Sequence, residues 1–371
     1  MLPHEERPSL FSDLDSHRRP IEVQRALAEI RAGRPVLVTG TEEDRLIASA
    51  ELADRSLMRD LRTVSPLVCL AMAPPRLSRL NITSDVAMRM RVGDDLSLIA
   101  TLIAAPYPAA SPDLEPATGA EIAALDLMRF ALLLPAVVSV LVSADQRARL
   151  AGLLTVSVDA IAAFRMESAE SMSIVSRAKV PLVEAAEAEF VVFRGGDAQR
   201  DQVAILIGNP DPSQPVDVRL HSACLTGDLF GSLRCDCGDQ LRRAVGEMAE
   251  RGGVLLYLDQ EGRGTGIATK MRAYGLQDDG FDTVEADALL GYGVDERRYD
   301  VAARMLKQLG YRKVALMTNN PDKVAALRHA GLEIVSRTAI FGAVTDQNRR
   351  YLNAKANKAG HYLAELALGG D

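Results

Sequence analysis

Apolar positions in this chain recur with two spacings, and the changes between them mark the elements. Residues 21–33 (IEVQRALAEIRAG) repeat every three to four positions and predict a helix. The strand PVLVTG follows, then a polar loop, TEEDR, then a second helical run, LIASAELADRSLMRDLRT. A looser stretch rich in Pro and Ala occupies Pro106–Pro116, before the helix GAEIAALDLMRFALL, the strand AVVSVLV and a mixed segment at 146–174. Further on, the strand VDVRLHS precedes a helix at Asp239–Glu250, with Leu241, Val245 and Met248 along one face, and Gly252-Gly253 stops it. The strand VLLYL, a glycine-rich loop and the helix IATKMRAYGLQ come next. After them the pattern predicts a helix over 298–309, the strand KVALM, a TNN turn, a helix opened by Pro321 and the strand LEIV.

Helices alternating with strands twice over predict an α/β (α+β) protein of two domains, each a mixed β-sheet with packed helices. The boundary is placed near residue 172, giving domains 1–172 and 173–371. A length of 371 residues suits two ordinary domains, and 48% hydrophobic with 25% charged residues is the composition of a folded chain. No internal repeat or low-complexity tract interrupts it.

The formal charge of −7 supplies no global field for nucleic acid, so an anionic ligand would need a local cluster of Arg and Lys. The opening, MLPHEERPSLFSDLDSHRRP, lacks the basic flank and apolar stretch of a secretory signal. The most apolar run, Phe130–Val142, is shorter than a bilayer span and holds Pro135. The expectation is a soluble, cytoplasmic protein with no nucleic-acid or membrane partner.

Candidate chemistry is concentrated in the second half. Cys69 stands alone in PLVCLAM and reads as a small core residue. Cys224, Cys235 and Cys237 have the spacing C-x10-C-x-C, and in a reducing compartment clustered thiols argue for metal before disulfide. Three thiolates leave zinc one ligand short of a tetrahedron, the arrangement of catalytic sites; a structural zinc closed by His221 or a distant side chain, or unligated core cysteines, are the alternatives. Glu261, Gly262, Arg263, Gly264, Thr265 and Gly266 form a strand-to-helix turn able to hold phosphate, or a turn that merely needs glycine. In TNNPDK, Asn320 caps a helix and Lys323 reaches out of its first turn toward phosphate, unless the cap is all there is. Asp295 and Arg297 would share one side of an extended segment and act together, or belong to a solvated charge run. Tyr274 offers a phenol for chemistry or for the core.

Taken together, VSRAKVPL, HSACLTGDLFGSLRCDCG, YLDQEGRGTG, MRAYGLQDDGFDTVEA, LGYGVDERRY, MTNNPDK and YLNAKANKAGHYL resemble GTP cyclohydrolase II, from about Val175 to the end. The resemblance implies that Cys224, Cys235 and Cys237 ligate one Zn2+ and that GTP, with Mg2+ on its triphosphate, is the substrate. It implies GTP contacts from Arg219, Leu220, His221, Ser222 and Ala223, and from Gln240, Glu261, Gly262, Arg263, Thr283, Thr318 and Lys323. Arg297 would be the nucleophile toward the α-phosphate, Asp295 its proton acceptor, and Tyr274 would assist at the purine. The implied reaction opens the imidazole ring at C8 and releases formate and pyrophosphate, leaving 2,5-diamino-6-(5-phosphoribosylamino)pyrimidin-4(3H)-one for riboflavin synthesis. A homodimer is implied as well. Departures from the family pattern are Ala223 in place of Glu, Asp259 in place of Arg, and Ala268-Thr269 in place of Leu-Asn, and they bear on affinity and substrate choice. A related zinc hydrolase of another purine nucleotide, or one stopping at a formamide, therefore stays open, as does an inert nucleotide-binding regulator.

More faintly, ALAEIRAGRPVLVTG, Glu43-Asp44-Arg45 and EIAALDLMRFALLLPAVV resemble 3,4-dihydroxy-2-butanone-4-phosphate synthase. That family continues its E-D-R run with acidic metal ligands and carries a later His-Thr-Glu. Here Leu46-Ile47-Ala48-Ser49-Ala50 and Gly119-Ala120-Glu121 stand instead, and apolar side chains cannot hold Mg2+. The first domain is expected to be inactive and kept for folding, dimerisation or regulation.

Overall fold

Residues 36–49 fold back on themselves. Val36–Thr39 (β1) and Asp44–Ser49 (β2) pair antiparallel, so LIAS is a strand and not the start of the second helix. The cause is burial on both faces: β2 lies between β1 and Ala136–Val142 (β6), and such a central strand shows a continuous apolar run without alternation. In the computed structural model, which describes residues 14–106, 113–195, 201–345 and 348, the chain forms two compact units. One is Met1–Glu167 with Leu289–Tyr292; the other is Ser168–Ala288 with Gly293–Asp371. The segment YLNAKANKAGHYL and part of Pro106–Pro116 lie outside the described residues.

In the first unit the helices are Leu14–Arg31 (α1), Arg55–Val64 (α2), Pro74–Arg79 (α3), Leu96–Ala104 (α4), Gly119–Phe130 (α5), Ala144–Arg149 (α6) and Val158–Glu170 (α7), which runs just past the unit's edge. The remaining strands are Cys69–Met72 (β3), Met88–Arg91 (β4), Glu115–Pro116 (β5) and Thr155–Ser157 (β7). Seven strands lie in the order β5-β4-β3-β6-β2-β1-β7, antiparallel except β1 with β7. α1 and α5 bury Val23, Leu27, Ile30, Leu127 and Met128 against the sheet. Thr118 begins α5 with a reciprocal capping box closed by Glu121, which satisfies two otherwise orphaned N–H groups. Glu121 is fully buried and accepts from Ser139, while Arg45 lies 3.1 Å and Arg89 3.4 Å from it. Arg76, also buried, donates to the carbonyls of Leu102 and Leu289.

The second unit's sheet runs β14-β13-β11-β12-β10-β9-β8. Its strands are Ser173–Lys179 (β8), Ala188–Arg194 (β9), Gln202–Ile207 (β10), Val216–Ser222 (β11), Gly253–Leu258 (β12), Lys313–Met317 (β13) and Glu333–Thr338 (β14). β11 to β14 include the parallel pairs, and β8 to β10 form an antiparallel flank. Its helices are Cys237–Arg251 (α8), Ile267–Asp278 (α9), Thr283–Leu289 (α10), Asp300–Gln308 (α11) and Pro321–His329 (α12). Core residues Val218, Leu220, Leu256, Met305 and Leu316 are buried between sheet and helices. β11 and β12 end side by side at Ser222 and Leu258, so the loops that follow both strands open at one sheet edge.

Candidate active site

Two loops build the site. After β11, Cys224 leads into a π-helical turn, Leu225–Leu229, and the chain returns through Cys235 to Cys237, the first residue of α8. The three Sγ atoms come within 4.8 Å of one another. Gly227 makes this possible: a Cβ there would sit 2.8 Å from the Cys235 Sγ and 3.0 Å from that of Cys224. Asp228 braces the turn by accepting from the Cys224 backbone N–H and the Tyr257 hydroxyl, each at 2.9 Å, and by pairing with His221 Nε2 at 3.0 Å. His221 is thereby engaged by a carboxylate rather than by the thiols, and burial holds its pKa down against the pull of Asp228. The donor set and the glycine cradle fit a zinc ion held by three thiolates.

Lys270, on α9, spends its three N–H donors here: on Cys224 Sγ at 3.1 Å, Thr226 Oγ1 at 3.0 Å and Glu261 Oε1 at 2.6 Å. The other Glu261 oxygen accepts from the Leu225 N–H at 2.6 Å, so this side chain ties the two loops together. Hydrogen bonds from the neighbouring thiols, reinforced by Lys270, push the Cys224 thiol far down, while Cys235 is raised by the thiolate beside it. Tyr274 lies one helical turn beyond Lys270; burial pushes its phenol up to about 12, so it stays protonated at neutral pH. The Arg234 guanidinium lies 5.0 Å from its ring centre.

The second loop leaves β12 through a tight turn at Glu261–Gly264, with Gly262 and Arg263 both in the left-handed region. Gly264 allows a close approach: a Cβ on it would meet the Glu296 carbonyl at 2.9 Å. Gln260 and Arg298 exchange hydrogen bonds across the same contact, docking this turn onto residues 295–298. There Arg297 donates through Nε at 2.8 Å and Nη2 at 2.5 Å to Asp295, a two-point ion pair. Burial would raise Asp295, but the bonds and charge of Arg297 outweigh it and hold its carboxyl below the usual range. The Arg297 N–H also bonds the Asp295 carboxylate at 3.0 Å, so the two residues engage one another within this loop.

A cavity joins these parts. Its wall includes Ser222, Ala223, the three cysteines, Glu261, Gly262, Arg263, Tyr274, Thr283 and Arg297 from the sequence analysis, with Lys270 and Asp287 added. The remaining candidates are not part of its lining. Arg219, buried and lowered to about 10 by that burial, donates to the Met317 carbonyl and to Gln240. Thr318 Oγ1 accepts from the Asn320 N–H. Lys323 does not reach outward: it is buried and donates to the Leu220 carbonyl at 2.8 Å, because the first turn of α12 packs over the end of β11. Among the departures from the family pattern, Ala223 lines the cavity, whereas Thr269 is buried with its hydroxyl lacking a partner among the described residues. Lys270 was legible as a cation four residues before Tyr274 on one helix face; Asp228 and Asp287 carried no local signal.

Fold and site define a class: a two-unit α/β protein whose second unit sets a three-thiol cluster, suited to hold a metal ion, beside an arginine-bearing cavity. Comparison with known proteins sharpens this. The family model described as GTP cyclohydrolase II matches residues 173–339. A GTP cyclohydrolase-2 of Xylella fastidiosa is 44% identical over 356 residues, 94% of this chain and 89% of that one. A riboflavin biosynthesis protein RibBA of Synechocystis is 35% identical over 402 residues, 93% of this chain and 72% of that one. The crystal structure of a two-domain 3,4-dihydroxy-2-butanone 4-phosphate synthase from A. baumannii overlaps 85% of this chain and 98% of that one, at 19% identity and a TM-score of 0.33, a likeness too slight to bear on either unit. The chain belongs to the GTP cyclohydrolase II family, and so is an enzyme.

Proposed function

We propose that this enzyme hydrolyses GTP to 2,5-diamino-6-(5-phosphoribosylamino)pyrimidin-4(3H)-one, formate and pyrophosphate, the entry reaction of riboflavin synthesis. The observation that carries the reading is the convergence of three thiols within 4.8 Å on a cavity that also holds Arg263, Tyr274 and Arg297. Cys224, Cys235 and Cys237 hold Zn2+, which supplies Lewis acidity for hydrolysis of the purine's imidazole ring. Mg2+ offsets charge on the triphosphate.

The chain's own side chains account for the rest. Arg263 and Arg297 attract the triphosphate, Glu261 and Lys270 keep the thiol loop in register, and the protonated Tyr274 offers a hydrogen bond to the ring as charge develops. Arg219, Leu220 and His221 at the end of β11 and Gln240 at the start of α8 contact the nucleotide with Thr318, and Lys323 fixes the end of β11 through the Leu220 carbonyl. Asp295 accepts two guanidinium N–H groups of Arg297, the geometry for relieving that guanidinium of a proton as it attacks the α-phosphorus and pyrophosphate departs; water then cleaves the N–P bond, releasing the monophosphate and restoring Arg297. In the resting site the pair is carboxylate and guanidinium, so that transfer follows substrate binding.

Likeness to enzymes over nearly the whole chain favours catalysis over an inert nucleotide-binding regulator. Ala223 on the cavity wall is the feature that would permit another purine nucleotide or a formamide product. The deciding experiment incubates zinc-loaded protein with Mg2+ and GTP and follows formate and pyrophosphate together. Equal yields are expected, and pyrophosphate without formate would refute the assignment. Cys235→Ser should abolish formate release and lower bound zinc.

We read residues 1–172 as an inactive partner domain of the synthase type. Glu43 and Glu121 are engaged by Arg45 and Arg89, and Leu46–Ser49 is buried strand. Conversion of ribulose 5-phosphate by the purified protein would overturn this. Residues 173–371 form the catalytic domain. A homodimer completes the reading and is checked by sedimentation; the cytoplasm suits a site built on free thiols.

A further inference from the structure

Asp287 lies on α10, on the wall of the same cavity, with a side chain only 8% exposed. Its nearest cation is Arg263, whose Nη1 is 3.7 Å from the carboxylate, beyond hydrogen-bond length. Arg263 donates that same Nη1 to the Val294 carbonyl at 3.1 Å, and its buried Nη2 has no hydrogen-bond partner among the described residues. Arg263 lines the cavity and shares no hydrogen bond with the carboxylate 3.7 Å away, so its positive charge is open to an anion in the cavity while the buried Asp287 beside it opposes that binding. The other charges acting on Asp287 are also unfavourable to its ionised form. Asp295 and Glu296 face it from the loop before α11 and Asp282 from the start of its own helix, and Arg263 opposes them as the largest attractive charge. Glu261, Lys270 and Arg297 complete the charged wall.

We propose that Asp287 sets the affinity of this cavity for polyphosphate: it must be neutral for Arg263 to serve the anion, so substrate binding draws a proton onto this carboxyl. The inference rests on the assignment of GTP as substrate and adds a determinant of its binding. Burial and the neighbouring carboxylates push Asp287 up to about 7, so both forms are populated near neutrality before any ligand enters. An incoming triphosphate, itself anionic, biases the group further toward the acid. Asp287 acts here through Arg263, as a positioning residue.

The test uses the full-length, zinc-loaded protein with Mg2+. KM for GTP is measured against pH for the unmodified enzyme and for Asp287→Asn, which mimics the neutral form. If only the neutral form binds, KM rises up to about tenfold between pH 6 and pH 8, while the variant stays flat at the low value. Titration of the phosphate chain is common to both proteins and cancels. Calorimetry with inorganic triphosphate in two buffers of different ionisation enthalpy should show proton uptake at pH 8 by the unmodified protein and none by the variant. Should the variant not fold, that uptake by the unmodified protein decides, since with Mg2+ in excess the phosphate chain holds few protons at pH 8 and binding to cations can only strip them, not add them. Parallel KM profiles, or triphosphate binding without proton uptake, overturn the inference. Triphosphate binding with proton uptake in a protein that does not turn over GTP upholds it and sinks the GTP assignment instead.

Discussion

At the scale of single residues, the site depends as much on what is missing as on what is present. Gly227 carries no side chain because two sulfurs and the Cys237 Cβ fill the space a methyl would need. Gly227→Ala should therefore push the thiols apart; bound zinc per chain, measured by metal analysis, is expected to fall well below one while the fold persists. Asp287 makes an opposite kind of demand, on pH. Its folded-state pKa of about 7 exceeds the ordinary 3.8, so between those values the folded chain holds a proton that the unfolded chain has lost. Stability drawn from this group is complete below about pH 4 and falls as pH rises through about 7. Asp287→Asn should consequently melt higher than the unmodified protein at pH 8 and at nearly the same temperature at pH 4, as calorimetric scans at the two pH values would show.

Among elements, those with clear periodicity or caps were legible and those buried on two faces were not. The α8 helix, the strand Ala136–Val142 and the Asn320-Pro321 start of α12 follow from apolar spacing and capping chemistry alone. β2 was not, since a strand sandwiched between two others shows the same unbroken apolar run as a buried helix. The antiparallel strands β8 to β10, whose sequence alternates weakly, escaped the pattern as well. Capping has a measurable weight. Thr118 accepts from the Glu121 N–H, and Glu121 returns a bond to the Thr118 N–H, so Thr118→Ala should cost about 1 kcal/mol in urea unfolding with an unchanged m-value.

Across the whole molecule, chain order and spatial membership part company. Leu289–Tyr292 belongs to the first unit although the second surrounds it in sequence. Within that unit the Tyr292 hydroxyl donates to the Leu133 carbonyl at 2.6 Å, and Tyr292 is 1% exposed. Tyr292→Phe leaves the carbonyl without this donor and should lower stability by about 1–2 kcal/mol in chemical denaturation. The sequence by itself determined the α/β class, most of the elements and the three thiol donors, because periodicity, capping and donor type are properties of neighbouring residues. Only tertiary structure decided that Lys270 meets Cys224 and Glu261, that Asp287 stands beside Arg263, and that Lys323 turns inward. Those pairings join residues far apart in the chain, and their charges take effect only where folding has excluded water.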